Sequence, residues 1–100
     1  MTPGRAGGRM RHNRYFEDKV QSLGFTDADG DATVGVIEPG EYAFGTSRQE
    51  SISVVAGTLW YRVPGKPWLS AGPGEGFEVP AGVTFEVKAE GPAAYLCRYR

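Results

Sequence analysis

The segment GEYAFGTSRQESISVVAG, from Gly40 to Gly57, decides the fold of this 100-residue chain. Turn glycines at its two ends enclose residues that favour β-strands. Phe44 and Thr46 occupy alternate positions, so their side chains face the same side of a strand. Six residues separate Glu50 from the closing glycine. The segment therefore predicts two strands joined by a polar loop, with an acidic residue where the second strand begins.

A second segment, GEGFEVPAGVTF from Gly74 to Phe85, has a related pattern. Gly74, Pro80 and Gly82 follow the spacing G-x5-P-x-G, and Phe85 comes shortly after them. Turn residues recur in every class of all-β protein, so either segment alone is a weak signal. The two segments in this order resemble the two signatures of the cupin fold, a small antiparallel β-barrel.

The cupin signatures also contain metal-binding histidines, and this chain lacks them. The three histidine positions are occupied by Phe44, Thr46 and Phe85, so that only the glutamate, Glu50, remains. One carboxylate among aromatic side chains cannot hold a transition metal tightly. We therefore expect no metal and no other cofactor, in an all-β domain built as a single cupin-type antiparallel barrel or jelly-roll sandwich.

Composition restricts the partners of the chain. The formal net charge of -1 gives no general attraction to nucleic acid or to an anionic membrane. No apolar run approaches the roughly 20 residues of a membrane span, and no secretory signal precedes the domain. Cys97 is the single cysteine, which we interpret as a small core residue. These features predict a cytoplasmic protein with small-molecule ligands.

Two regions differ in pattern. Residues 1–12, MTPGRAGGRMRH, are rich in arginine and glycine and predict a flexible tail, whereas residues 13–100 predict the cupin domain. Turn residues punctuate the domain at short, regular intervals, as in a β-sandwich. Strands are predicted within 13–25 and at 33–38, 41–45, 51–56, 58–63, 76–79, 83–89 and 93–99.

Alternation along these strands predicts which side chains face the interior. Glu50 shares the inward face of its strand with two apolar residues, and a buried carboxylate is costly unless it is hydrogen-bonded. Two interpretations stay open: the side chain turns out to water at the strand end, or it faces a ligand. The predicted inward sets are Tyr42, Phe44 and Thr46; Glu50, Ile52 and Val54; and Val83, Phe85 and Val87.

Two tryptophans are predicted near the surface. Trp60 lies opposite the apolar face of its strand, and Trp68 follows a proline in a predicted loop. Exposed tryptophans favour a partner interface, and two-fold dimers are the commonest assemblies of small soluble proteins. We expect a homodimer, although both indoles would also suit the cap of a monomeric barrel.

Several segments together resemble the pyrimidine/purine nucleoside phosphorylases, a family of small cupin-like bacterial proteins. The resemblance implies phosphorolysis of purine and pyrimidine nucleosides to a free base and a pentose 1-phosphate, with broad specificity, no metal and inorganic phosphate as co-substrate. The alternative function is non-catalytic binding of a small sugar or nucleotide-like ligand by a metal-free cupin. The matching segments are YFEDKVQSLGF (15–25), TVGVIEPGEYAF (33–44), the E-x6-G-x-L pattern (50–59), FEVPAG (77–82) and YLCRY (95–99).

The implied reaction suggests a role for each candidate residue. Glu50 and Arg98 are the predicted catalytic residues: Glu50 suits sugar hydroxyls or developing positive charge, and Arg98 suits phosphate. Arg98 has an alternative role as an outward-facing charge. Weaker phosphate candidates are Arg48, Arg62 and Lys19. The predicted substrate-binding residues, in which the aromatic rings would stack on a base, are Tyr42, Phe44, Thr46, Phe85 and Tyr95.

Overall fold

A computed structural model describes residues 10–100 of the chain, and within this range every regular element is a β-strand. None of the described residues belongs to a helix that could cross a membrane. The strands are β1 (Arg11–Tyr15), β2 (Val20–Asp27), β3 (Gly30–Ile37), β4 (Gly40–Gly45), β5 (Glu50–Ala56), β6 (Leu59–Arg62), β7 (Leu69–Ala71), β8 (Gly76–Val79), β9 (Thr84–Ala89) and β10 (Ala93–Tyr99).

The strands form two antiparallel sheets that face each other. The first sheet has six strands in the order β1-β2-β3-β10-β5-β8, and the second has four in the order β4-β9-β6-β7. Apolar side chains from the facing sides of both sheets form one core, which includes Ile37, Ile52, Leu59, Phe85 and Val87. The predicted all-β sandwich is therefore confirmed.

The last strand, β10, occupies the middle of the six-stranded sheet and pairs with both β3 and β5. Its register places Tyr99 beside Glu50 and Cys97 beside Ile52. Tyr95 lies opposite Gly35, where an added Cβ would lie 2.5 Å from the tyrosine Cζ. Glycine at this position therefore makes room for the inward-facing Tyr95 ring.

Most predicted strands are confirmed, with three differences. The region 13–25 contains two strands, because the chain reverses between Tyr15 and Val20. The predicted boundary at Asn13 falls inside β1, since Arg11 and His12 already pair with β2. Residues 1–9 of the predicted tail lie outside the described residues. Strand β7 was not predicted, because it is only three residues long and follows a proline-containing segment.

The outer faces of the two sheets differ in a way that bears on the tryptophans. Trp60 and Trp68 are half-buried on the four-stranded sheet, where the Lys88 ammonium lies 5.8 Å and 4.5 Å from their ring centroids. The larger exposed apolar side chains instead include Leu23 and Val34, which are paired across β2 and β3 on the six-stranded sheet. The tryptophans are therefore partly covered by their own chain.

Candidate active site

Glu50, at the start of β5, is buried in the interior with 1% of its surface exposed. The Cys97 thiol donates a hydrogen bond to Glu50 Oε1, with Sγ 3.4 Å from that oxygen. Glu50 Oε2 has no hydrogen-bond partner among residues 10–100. The interpretation in which the Glu50 side chain points into water is therefore wrong. An unpaired buried oxygen is costly, and such a group needs an explanation beyond packing.

Burial also changes the acid strength of this pair. Removal from water raises the pKa of the Glu50 carboxyl above its usual value, because it penalises the charged form. The same burial, together with the neighbouring carboxylate, raises the pKa of the Cys97 thiol. Cys97 therefore acts as a neutral hydrogen-bond donor to Glu50 rather than as a reactive thiolate.

Other polar side chains share the inner face of the six-stranded sheet. Thr33 Oγ1 and the Tyr99 hydroxyl lie 3.2 Å apart, and Asn13 Nδ2 donates to Ser22 Oγ at 3.2 Å. Burial raises the pKa values of the Tyr95 and Tyr99 hydroxyls, which keeps both hydroxyls neutral. We call the inward polar set of this sheet the polar wall: Ser22, Thr33, Glu50, Tyr95, Cys97 and Tyr99.

The inner face of the four-stranded sheet carries an aromatic cluster instead. Phe44 and Phe85 are paired across β4 and β9, with ring centroids 5.9 Å apart. Tyr42 lies 6.5 Å from Phe44, and its hydroxyl donates to the Glu38 carbonyl oxygen at 2.7 Å. We call Tyr42, Phe44 and Phe85 the aromatic wall. Three of the four predicted aromatic positions are therefore brought together, whereas the fourth, Tyr95, lies on the opposite sheet with Glu50.

The turn between β1 and β2 reaches the edge of the aromatic wall. Phe16, Glu17 and Asp18 all have left-handed backbone angles, with φ of 54°, 55° and 67°. Each such non-glycine residue costs about 1–3 kcal/mol. The Phe16 ring packs at centroid distances of 5.1 Å from Tyr42 and 5.4 Å from Phe44, yet 43% of this residue is exposed. Sequence reasoning missed Phe16, because nothing in its residue type signals a left-handed turn.

Thr46 faces inward as predicted, but its hydroxyl is occupied by the backbone. It donates to the Pro80 carbonyl oxygen at 2.7 Å and accepts from the Val83 amide at 3.1 Å. The Thr46 amide and carbonyl also bond to Val83 and Gly82. Thr46 therefore holds the turn between β8 and β9, which places Phe85.

Arg98 is not brought to Glu50. It alternates along β10 with the inward-facing Cys97 and Tyr99, so its side chain lies on the outer face of the sheet. There its two terminal nitrogens donate to the two carboxylate oxygens of Asp27, at 2.9 Å and 2.8 Å. The guanidinium holds the pKa of Asp27 below its usual value. Of the two roles considered for Arg98, the structure shows the outward-facing charge.

Among the weaker phosphate candidates, Arg48 has the closest connection to the polar wall. Its Nη2 donates to the Tyr99 carbonyl oxygen at 3.1 Å, and its guanidinium lies 5.9 Å from the Tyr99 ring centroid. Its Nη1 bonds to Asp31 at 2.9 Å, and bonds from Thr26 and Arg48 lower the pKa of Asp31. Arg62 instead pairs with an outer-face carboxylate, and Lys19 lies in the exposed β1–β2 turn.

No group of three histidine, cysteine, aspartate or glutamate side chains that could hold a metal ion occurs among residues 10–100. Within that range the side chain near Glu50 that could also bind a metal is Cys97. The pKa of its thiol is raised rather than lowered, which disfavours the thiolate that a metal needs. The metal-free site stays a prediction.

The chain is similar to known proteins over nearly all of its described length. The family model described as pyrimidine/purine nucleoside phosphorylase matches residues 10–99. A protein of that name from Anaeromyxobacter sp. (strain Fw109-5) is 48% identical over 94 residues, which cover 90% of this chain and 87% of that protein. Another, from Pseudomonas syringae pv. syringae (strain B728a), is 44% identical and covers 88% and 96%.

Solved structures show the same architecture. A protein of unknown function from Vibrio parahaemolyticus has a TM-score of 0.89 and 39% identity, covering 93% of this chain and all of that one. A cupin-like protein from Thermotoga maritima has a TM-score of 0.66 at 18% identity, covering 78% of this chain and 65% of that one. The predicted cupin-type fold and the family resemblance are both confirmed. The chain belongs to the pyrimidine/purine nucleoside phosphorylase family.

Proposed function

We propose that this protein catalyses the phosphorolysis of purine and pyrimidine nucleosides to a free base and a pentose 1-phosphate. The proposal includes broad base specificity and no requirement for a metal. Family membership supports the reaction class. We place the site at Glu50 because its carboxyl is buried and one of its oxygens has no hydrogen-bond partner within residues 10–100. Glu50 lies on the sheet that faces the aromatic wall.

The proposed reaction exchanges the bond between sugar and base for a bond between sugar and phosphate. The bond from the sugar anomeric carbon to the base nitrogen breaks, its electron pair leaves with the base, and a phosphate oxygen bonds to the same carbon. Hydrogen phosphate brings the proton that the departing nitrogen needs, so the reaction balances without another reagent. The transition state resembles an oxocarbenium ion, and the enzyme must bind it more tightly than the substrate.

Each wall has a role in this proposal. Glu50 Oε2 accepts from a sugar hydroxyl, and the carboxyl offsets the positive charge that develops on the sugar ring. The hydroxyls of Tyr95 and Tyr99 complete the sugar site as neutral groups beside this carboxyl. The aromatic wall stacks on the base, and stacking without hydrogen bonds to the base edge tolerates purines and pyrimidines alike.

For phosphate we propose Arg48 in place of Arg98. Arg48 contacts Tyr99, a member of the polar wall, whereas Arg98 lies on the outer face. Hydrogen bonds to Asp31, Tyr99 and Arg100 use three of the five guanidinium N–H groups of Arg48. The remaining N–H groups match the planar, two-point geometry with which arginine binds phosphate.

The test is release of base from inosine and uridine by protein treated with a chelator, with and without inorganic phosphate. We expect release only when phosphate is present, with equal amounts of base and pentose 1-phosphate and no effect of chelation. A thermal shift on adding nucleoside, without any turnover, would instead favour the non-catalytic binding protein. Loss of activity on chelation that added metal restores would contradict the metal-free reaction.

We further propose a cytoplasmic homodimer that needs neither nucleic acid nor a membrane. The formal net charge of -1 is consistent with both exclusions. We place the dimer contact on the outer face of the six-stranded sheet, where Leu23 and Val34 are paired and are 45% and 47% exposed. A monomeric mass by light scattering at micromolar concentration would contradict the dimer.

A further inference from the structure

We propose that Phe16 is a lid residue that opens to admit the nucleobase and then closes on its face. This inference rests on the proposed function and assigns a further residue to the same site. Phe16 lies at the start of the β1–β2 turn, outside the aromatic wall and in contact with it. The class of ligand that it contacts is the planar π-face of a purine or pyrimidine.

The burial of the aromatic wall requires a movable cover. Tyr42, Phe44 and Phe85 are only 6%, 4% and 0% exposed, so a base cannot stack on them until a neighbouring group moves. The Phe16 ring is the most exposed of the rings that contact this wall. It meets Phe44 edge-on, with an interplanar angle of 89°, and meets Tyr42 at a tilt of 56°. Moving Phe16 would therefore uncover two of the three rings.

The turn at Phe16 lets its side chain move. Three consecutive residues with side chains have positive φ, a conformation that glycine adopts far more readily. The Lys19 amide donates to the Phe16 carbonyl oxygen at 3.1 Å, and Gln21 Nε2 donates to the Asp18 carbonyl oxygen at 3.0 Å, so both bonds hold the backbone of the turn. Such strain persists only where surrounding contacts hold it, and the Phe16 ring contacts the rings of Tyr42 and Phe44. Releasing the ring contacts therefore frees the Phe16 side chain, while the hydrogen bonds keep the turn closed.

Space for the open position lies beside the closed one. A groove of about 230 Å³ borders Phe16 on the outer side of the four-stranded sheet, and Ala43 and Trp68 form part of its lining. A phenyl ring that swings into this groove remains in contact with apolar surface. The lining also includes Glu41 and Glu86, so the open ring would lie against Ala43 and Trp68 between two carboxylates and would not be wholly exposed to water.

Four variants test the lid. We expect Phe16→Ala and Phe16→Leu to raise KM for inosine and for uridine about tenfold, with KM for phosphate unchanged, because neither side chain has a π-face. Phe16→Trp restores the ring and should stay within about threefold of the wild type. Thr84→Ala changes an exposed side chain of β9 outside the turn, and it should leave KM for nucleosides unchanged.

A binding measurement separates this inference from the proposed reaction. Calorimetric titration with adenine and with uracil, in the absence of phosphate, should show about tenfold weaker binding by Phe16→Leu than by the wild type. If the wild type binds bases but catalyses no phosphorolysis, the proposed reaction is contradicted. The ratio of the base affinities of the wild type and Phe16→Leu still tests the lid. Equal base affinity in the folded Phe16→Leu variant, or no base binding by the wild type, would overturn the lid.

Discussion

The two inner faces of the sandwich have different chemistry. The six-stranded sheet presents a carboxyl, a thiol and several hydroxyls, whereas the four-stranded sheet presents three aromatic rings. Glu50 and Cys97 are 47 residues apart in sequence, but β5 and β10 are adjacent and bring them into contact. From this difference we predict that replacements in the aromatic wall mainly lower stability and that replacement of Glu50 mainly lowers activity. The following variants test that separation.

The largest expected effect is on the aromatic wall. Phe85→Ala should lower the free energy of unfolding by about 3–5 kcal/mol, because it removes a fully buried ring and leaves a cavity. Urea unfolding measures the loss. The matched control is Thr84→Ala, since Thr84 is exposed on the same strand and its replacement should have little effect. If both variants lost the same free energy of unfolding, the buried Phe85 ring would contribute no more to stability than an exposed side chain.

The next effect concerns activity without loss of stability. Glu50→Gln keeps the shape of the side chain but removes its charge, so we expect kcat/KM for phosphorolysis to fall at least about tenfold, or roughly 1.4 kcal/mol. The melting temperature should stay the same or rise, because a buried carboxylate without a cation partner is unfavourable. Unchanged kinetics with an unchanged melting temperature would remove Glu50 from the site.

The pH dependence of stability provides a control for Glu50. Its pKa is raised in the folded protein, so the folded state keeps the proton at pH values where the unfolded chain has lost it. This contribution to stability is fully present below the unfolded pKa and is lost as the pH rises through the folded pKa. Glu50→Gln should lack this decline. Parallel pH profiles for the variant and the wild type would contradict burial of the carboxyl.

The smallest expected effect lies outside both walls. Arg98→Ala removes the ion pair with Asp27 on the outer face, and we expect no change in kcat/KM and only a small change in melting temperature. Asp27→Ala should lower the melting temperature somewhat more, since it breaks the same pair and also removes the acceptor of the Asp29 amide. A large loss of kcat/KM in the folded Arg98→Ala variant would restore the catalytic role first predicted for this arginine.

Alternation along strands predicted much of the interior. The spacing around Glu50 and Phe85 identified both facing strands, and both residues are buried as their neighbours indicated. The same rule applies to Arg98, which alternates with Tyr95, Cys97 and Tyr99. Its position in the strand predicts an outward-facing side chain, and its charge alone suggested phosphate binding.

Other features depended on contacts that no local pattern reports. The left-handed turn at Phe16 packs against rings of β4, a distant segment, and neither Phe16 nor Glu17 has a preference for that conformation. The tryptophans are covered by Lys88 of β9, so their partial burial arises from the pairing of β6 with β9. Tertiary packing decides both cases, and residue type alone does not.

The central position of β10 has a consequence for synthesis of the protein on the ribosome. Strands β3 and β5 have no bridge between them until residues 93–99 insert, because β10 pairs with both. A nascent chain therefore holds two incomplete strand groups with unpaired edges while the later segments are made, and at about 5–20 residues per second this lasts for seconds. Folding of the large sheet must therefore follow translation of its final strand, β10.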